Sequence, residues 1–272
     1  MNKTIVLKYG GNAMIDEKIK DQLINNICLL QSKGHQMVMV HGGGPYIAKA
    51  LEKANVESEF IDGQRKTSDE ALEYIEMVLK GKLNGHLVSL INAKGKKAVG
   101  LSGKDGNLIV AKKRYHLQKI NGEFKTVDLG HVGEVASVNV DLIHVLLENG
   151  FLPVITCIAA DEMGNTYNIN GDNFAGHLAG AIQSDTFILM TDVDGLLMDI
   201  EDPDSIIRQI KLDEIKKLID QGIIKGGMIP KLEACKTALN AGAASARIIN
   251  GTKPQMLMNI FNGKSEGTEI IK

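Results

Sequence analysis

Tryptophan is absent from this 272-residue chain, and all aromatic residues together make up only 4% of it. Single-stranded nucleic acid is held largely by stacking its bases on aromatic rings, so the sequence offers no such surface. A basic field is missing as well. Lysine and arginine total 31 against 33 aspartates and glutamates, a formal net charge of −2, and the basic residues are scattered. That balance points away from nucleic acid as a partner. The three cysteines, Cys28, Cys157 and Cys235, stand far apart with no CxxC spacing, and the seven histidines are equally dispersed. Neither a disulfide framework nor a metal-ligand set is indicated. No stretch reaches the roughly 20 apolar residues of a membrane span, and the apolar run in MNKTIVLKYGG is too short for a signal peptide. A reduced, cytoplasmic enzyme is the expectation.

What is present is alternation. TIVLK reads as a buried strand, IDEKIKDQLINNICLLQSKG as an amphipathic helix, MVMV as a second strand, and PYIAKALEKAN as a helix opened by Pro45. A helical region is expected from Ser68 to about Lys94, interrupted by Gly81 and Gly85. KAVGL, FLPVITCIAA, TFILMTDVDG and ARIING supply further strands. VNVDLIHVLLENG, KLDEIKKLIDQG and IPKLEACKTALNAG supply helices closed by glycine. Residues 107–138 break into shorter runs that read as β-hairpins, with Asn121-Gly122 as the plainest turn. Strands alternating with helices predict an α/β fold with a largely parallel sheet. A soft division near residues 165–172 suggests two lobes.

Glycine marks where chemistry concentrates. KYGG and VHGGG each end an apolar strand in a polar residue and then strip the next turn of side chains. Such turns let backbone N–H groups approach an anion. Lys8, at the carboxyl end of its strand, stands where open α/β sheets bind ligands, and a buried lysine needs an anionic partner. Familiar nucleotide motifs are missing: the only GKS, Gly263–Ser265, has Met258 where a P-loop has glycine, and HGGGPYI has Ile47 at the third glycine of a dinucleotide fingerprint. TYNINGD places Asn168, Asn170 and Asp172 before a helix, either as caps or as groups facing a cleft. Arg65, in GQRKTSDE, is free to clamp a carboxylate, with Ser68 or Asp69 capping the helix that follows. Lys231 opens a helix in KGGMIPKLEA, where the dipole disfavours a cation unless an anion is near. TDVDG, 191–195, suits a ribose, a metal or merely a turn, and His41 reads as a strand-end hydrogen-bonding residue rather than a base.

In order, KYGGNAM, VHGGGP, DGQRKT, AVGLSGKDG, YNINGD, LMTDVDGLL, GGMIPKLEAC and the closing Gly267-Thr268 resemble the amino acid kinase family nearly end to end. Within it, the chain is most similar to members that phosphorylate the γ-carboxylate of N-acetyl-L-glutamate, the second step of arginine biosynthesis. The resemblance implies an open three-layer αβα sandwich with a mainly parallel central sheet. It implies that residues 1–170 bind the acyl amino acid and dimerise, and that residues 171–272 bind ATP with Mg²⁺. By position, Lys8 and Lys231 match the lysines on the transferring phosphoryl group, and Asp172 the aspartate that orients both. Gly11, Gly43 and Gly44 match backbone donors, while Arg65 and Asn168 match residues holding the substrate's amino-acid portion. Asp192, Val193, Asp194, Gly195, Leu196 and Leu197, with Ile223, Ile224 and Lys225, match the nucleotide-contacting stretches.

Three residues depart from the family pattern: Tyr46 after HGGGP, Lys66 beside Arg65, and Gly171 in place of the usual alanine. Lys66 bears on acyl specificity, so a kinase for an amino-protected α-aminoadipate, one methylene longer, is the neighbouring alternative. A non-catalytic ligand sensor is the alternative of a different class. With three residues before the first strand, an arginine-insensitive homodimer is expected.

Overall fold

The computed structural model describes residues 2–120 and 122–272, and Asn121 of the expected Asn121-Gly122 turn lies outside them. Its centre is an eight-stranded sheet. From one edge the strands run Gln209–Lys211, Thr268–Ile271, Ala246–Asn250, Thr186–Thr191, Thr4–Tyr9, Gln36–His41, Leu152–Thr156 and Ala98–Ser102. Every neighbouring pair is parallel except Ala246–Asn250 with Thr268–Ile271. The α/β expectation therefore holds. The central strands are apolar along their middles because helices cover both faces, with Lys8 and His41 as polar residues near the carboxyl ends; in Thr4–Tyr9 all residues but Thr4 are buried.

Local signals account for most boundaries. Asp16 caps helix Glu17–Ser32 by accepting from the N–H groups of Lys18 and Ile19, and Leu23, Ile24, Ile27 and Leu30 form its buried face. Ser68 caps Asp69–Glu76 through the N–H of Ala71. Beyond it the chain differs from expectation. Gly81 and Gly85 do not interrupt the helix; Met77–Asn84 widens into a π-helix that continues directly into Gly85–Ala93. The hairpin region is also simpler than its runs suggest. Ile109–Ile120 and Glu123–Val138 form one long antiparallel pair with register shifts at Val110/Ala111 and Lys113/Tyr115. FLPVITCIAA divides at Cys157, and Ile158–Ala160 joins the long hairpin and Thr166–Ile169 in a small barrel.

Strand Thr4–Tyr9 lies mid-sheet, between Gln36–His41 and Thr186–Thr191. The glycine turns after Tyr9 and His41 and the acidic loop after Thr191 all leave the carboxyl edge, which is where open α/β sheets form their crevice. Among the described residues no helix is long and apolar enough to cross a membrane.

Candidate functional site

A cavity of about 520 Å³ opens at that edge, and Lys8, Gly11, Gly43, Gly44, Arg65, Asn168 and Asp172 all line it. The sequence gives these residues no local reason to meet. Three features of the fold bring them together.

The first is the start of helix Gly171–Ala181. Asn170, not Asp172, is its cap: the Asn170 side chain accepts from the N–H groups of Asp172 at 3.0 Å and Asn173 at 3.1 Å. The Asp172 carboxylate, in the first turn where the dipole favours an anion, is left to other partners. Those partners are two lysines. Lys8 Nζ lies 2.7 Å from Oδ1 and Lys231 Nζ lies 2.8 Å from Oδ2. Asp172 is only 5% exposed. Burial pushes its carboxyl pKa upward, but the Lys8 and Lys231 charges outweigh that and bring it down to about 2.

The second is close helix packing. Added Cβ atoms on Gly176 and Gly180 would lie 2.4 Å from the Ala234 carbonyl oxygen and 2.4 Å from Ala241 Cβ. Only glycine lets helix Gly171–Ala181 approach helix Met228–Ala241 this closely. That contact sets the amino end carrying Lys231 beside the amino end carrying Asp172.

The third is the short hairpin Phe60–Ile61 and Gln64–Arg65, closed by Asp62 and Gly63 with φ of 46° and 77°. Two positive φ values at an Asp-Gly pair are the mark of a type I′ hairpin turn. The turn carries Arg65 over the cavity, its guanidinium 4.4 Å from the Phe60 ring centroid and donating to the Ser58 hydroxyl. Phe60 also lines the cavity. Lys66 turns away: its amine pairs with Glu59 at 3.0 Å, with both side chains about half exposed. Tyr46 also avoids the cavity and donates to the Met14 carbonyl at 2.7 Å. Cys157 lines the cavity, yet burial pushes its thiol up to about 11, so it stays protonated.

The nucleotide-matching stretches lie apart from this cavity. Val193, Gly195, Leu196, Leu197, Ile223, Ile224 and Lys225 line a separate, mainly apolar slot of about 100 Å³. Asp192 and Asp194 are not among its walls. Asp194 accepts from Asn250 at 2.7 Å and pairs with Lys253 at 2.6 Å, and Asp192 stands against Gly11. Among the described residues no group of three or more His, Cys, Asp or Glu side chains is placed to hold a metal ion. Gln64 and Phe60, which the sequence does not single out, are also cavity walls. Asp62-Gly63 was the signal for Phe60 and Gln64, because a two-residue turn makes the flanking residues strand partners.

This geometry has relatives. The acetylglutamate kinase of Methanococcus aeolicus is 47% identical over 272 residues, covering all of this chain and 92% of its own. That of Methanocaldococcus jannaschii is 48% identical, covering 99% and 91%. Among solved structures, smu.665 of Streptococcus mutans superposes with a TM-score of 0.77 at 28% identity, covering 100% of this chain and 99% of its own. The Neisseria gonorrhoeae N-acetylglutamate synthase complexed with coenzyme A and N-acetyl-glutamate gives 0.83 at 19% identity, covering 99% of this chain and 59% of its own, a likeness of fold. Residues 3–250 match the sequence model of the amino acid kinase family, and with relatives this similar along its length the chain belongs to that family.

Proposed function

We propose that the chain transfers the γ-phosphoryl group of ATP to the γ-carboxylate of N-acetyl-L-glutamate, giving N-acetyl-L-glutamyl 5-phosphate and ADP, the second step of arginine biosynthesis. The observation that carries this is the Lys8–Asp172–Lys231 bridge at the wall of a cavity that also presents Arg65 and Asn168. Full-length relatives named acetylglutamate kinase support it.

The carboxylate to be phosphorylated is already ionised near pH 7, so no general base is needed. The barrier is the approach of two anions and the charge spread over the phosphoryl group in flight. In this reading Lys8 and Lys231 supply fixed positive charge from opposite lobes. Asp172 holds both amines in place and keeps them from meeting unpaired in a dry site. The amides of Gly11, Gly43 and Gly44 donate to the passing oxygens. Arg65, its plane fixed on Phe60, clamps the α-carboxylate, and Asn168 bonds the amino-acid portion. The slot at Val193–Leu197 and Ile223–Lys225 takes the adenine, with Asp192 and Asp194 flanking the ribose and phosphates. Mg²⁺ bound to ATP would add charge neutralisation on the β- and γ-oxygens.

The lobe assignment, 1–170 for the acyl substrate and 171–272 for ATP, belongs to the same reading, as do a cytoplasmic setting and a homodimer through the first lobe. An ATP- and Mg²⁺-dependent assay that traps acyl phosphate with hydroxylamine tests the reading. N-Acetyl-L-glutamate is expected to be strongly preferred over glutamate, aspartate and N-acetyl-α-aminoadipate. Preference for the longer acid would move the enzyme to lysine synthesis, and no hydroxamate from any acid would favour a sensor.

A further inference from the structure

His41 ends its strand fully buried, and its ring connects the Gly42–Gly44 turn to a feature that the proposed chemistry leaves unexplained, the π-helix Met77–Asn84. Its Nδ1 lies 2.9 Å from the Gly42 carbonyl oxygen and its Nε2 lies 2.9 Å from Asn84 Nδ2. Asn84 Nδ2 also lies 2.9 Å from the Val154 carbonyl oxygen. A carbonyl only accepts, so the atom facing Val154 is the amide nitrogen, and its second hydrogen points at His41 Nε2. Nε2 must then be the acceptor, which leaves the ring proton on Nδ1, donating to Gly42. Burial holds the imidazole pKa at about 4, so the ring is neutral and keeps this one tautomer through the neutral range.

The consequence lies in the next peptide. In a trans peptide the carbonyl and the following N–H point in opposite directions. Tying the Gly42 carbonyl inward to His41 turns the Gly43 N–H outward, on the side where Gly42, Gly43 and Gly44 line the cavity. The other groups of the turn are already engaged: the Gly42 N–H donates to the Tyr9 carbonyl at 3.2 Å, and the Gly43 carbonyl accepts from Ile47 at 2.9 Å. Among the described residues the N–H groups of Gly43 and Gly44 meet no acceptor. The π-helix supplies both supports. Asn84 is its last residue, and Leu79 and Leu83 press so closely on Gly43 that an added Cβ would lie 2.6 Å and 2.9 Å from their methyl groups. Widened turns of this kind recur at functional sites.

We infer that His41 and Asn84 are positioning residues that fix the Gly42–Gly43 peptide so that the Gly43 N–H is aimed at the anion in the cavity. The inference rests on the proposed phosphoryl transfer for its kinetic consequence but not for its structural one. Two substitutions separate the ring's halves. The amide nitrogen of asparagine can occupy the place of Nδ1, whereas that of glutamine reaches the place of Nε2.

The test pairs nitrogen-15 imidazole spectra of the wild-type protein with kinetics of three variants. The spectra are expected to show His41 neutral and protonated on Nδ1. Protonation on Nε2, or an imidazolium at pH 7, would overturn the inference whatever the enzyme's substrate. Against N-acetyl-L-glutamate, His41→Gln and Asn84→Leu are expected to lower kcat on the order of tenfold to a hundredfold with little change in KM for the acyl substrate, and His41→Asn to restore most of it. Equal losses in His41→Asn and His41→Gln at equal thermal stability would show a merely structural histidine and overturn the inference. A wild-type enzyme that forms no acyl phosphate would instead remove the proposed function while leaving the tautomer result standing.

Discussion

The carboxylate of Asp172 lies 2.7 Å from the amine of Lys8, a contact between the first strand and the start of a helix far along the chain. Both groups are buried, and Lys231 closes the other side of the same carboxylate. In the proposed reaction this is charge stored before substrate arrives. Lys8→Ala and Lys231→Ala are each expected to reduce turnover by roughly 10²–10³-fold. Calorimetric binding of the acyl substrate should survive in both. Near-normal turnover in both variants would sink the phosphoryl-stabilising assignment. Asp172→Asn should lose activity and also stability, about 3–5 kcal/mol, because a buried amine and a partly buried one would lose their counter-charge. Urea unfolding reads the second effect.

Acid should destabilise the fold in two windows. The buried His41 ring takes a proton only near pH 4 in the folded chain but near its ordinary 6.5 when unfolded. Its contribution is therefore complete above about pH 6.5 and is lost, by roughly 3 kcal/mol, as pH falls toward 4. Asp172 acts lower. Its folded pKa of about 2 lies below the ordinary 3.8, so its stabilisation holds above that value and fades, by roughly 2 kcal/mol, as pH falls through 2. Urea midpoints measured from pH 7 to pH 2 check both. His41→Asn should flatten the upper window, leaving the smaller slope from His35 and His177, which burial shifts the same way. An unchanged slope would contradict the neutral, buried ring.

Arg65 and Lys66 are neighbours in sequence with opposite expectations. The Arg65 guanidinium lies against Phe60 and lines the cavity. A lysine there would keep the charge but lose the planar fork. Arg65→Lys should raise KM for the acyl substrate about tenfold to a hundredfold, with a smaller change in kcat. Lys66→Ala removes only a surface pair with Glu59 and should change neither KM nor chain-length preference beyond about twofold. A large loss of glutamate preference in Lys66→Ala would show that the lysine turns inward when substrate binds.

How much of this was legible in the sequence follows from how local each signal is. Six of the eight sheet strands could be read because apolar runs buried on both faces need no partner to be recognised, whereas Gln209–Lys211 and Thr268–Ile271, short and at one edge, were not. The closing glycines Gly150, Gly222 and Gly242 keep the positive φ such positions require. The π-helix could not be read. Gly81 and Gly85 look like interruptions, yet each stays helical because Leu79, Leu83 and Asn84 around them are buried by distant strands and turns. Asn170 and Asp172 were ambiguous as caps for a similar reason: either side chain can cap, and only Lys8 and Lys231 decide which one does. The bridge itself has no local signature. Its ends come together through Gly176 and Gly180, two glycines inside a helix, where a sequence reading expects only a weakened helix. Local chemistry therefore marked Lys8, Arg65, Asp172 and Lys231 as candidates, while resemblance of ordered motifs supplied their roles. Periodicity gave the α/β class with a parallel sheet, and resemblance supplied the three-layer sandwich.

Gly171 and Gly10 separate a glycine that can be replaced from one that cannot. A Cβ on Gly171 would lie 3.6 Å from Lys8 Cε, 3.8 Å from Cys157 Sγ and 3.8 Å from Gly42 Cα, all ordinary contacts. The residue opens a helix, where alanine restricts the unfolded chain more than the folded one. Gly171→Ala is expected to keep activity within about twofold and to gain about 0.4–1 kcal/mol, read as a higher urea midpoint. A Cβ on Gly10, by contrast, would fall 2.5 Å from Lys8 Nζ. The amine is the flexible end of its side chain, so the fold can yield, but only by moving the charge away from Asp172. Gly10→Ala should therefore leave the protein folded while lowering kcat at least tenfold, and a variant with full activity would show that the position of the Lys8 amine does not control the rate.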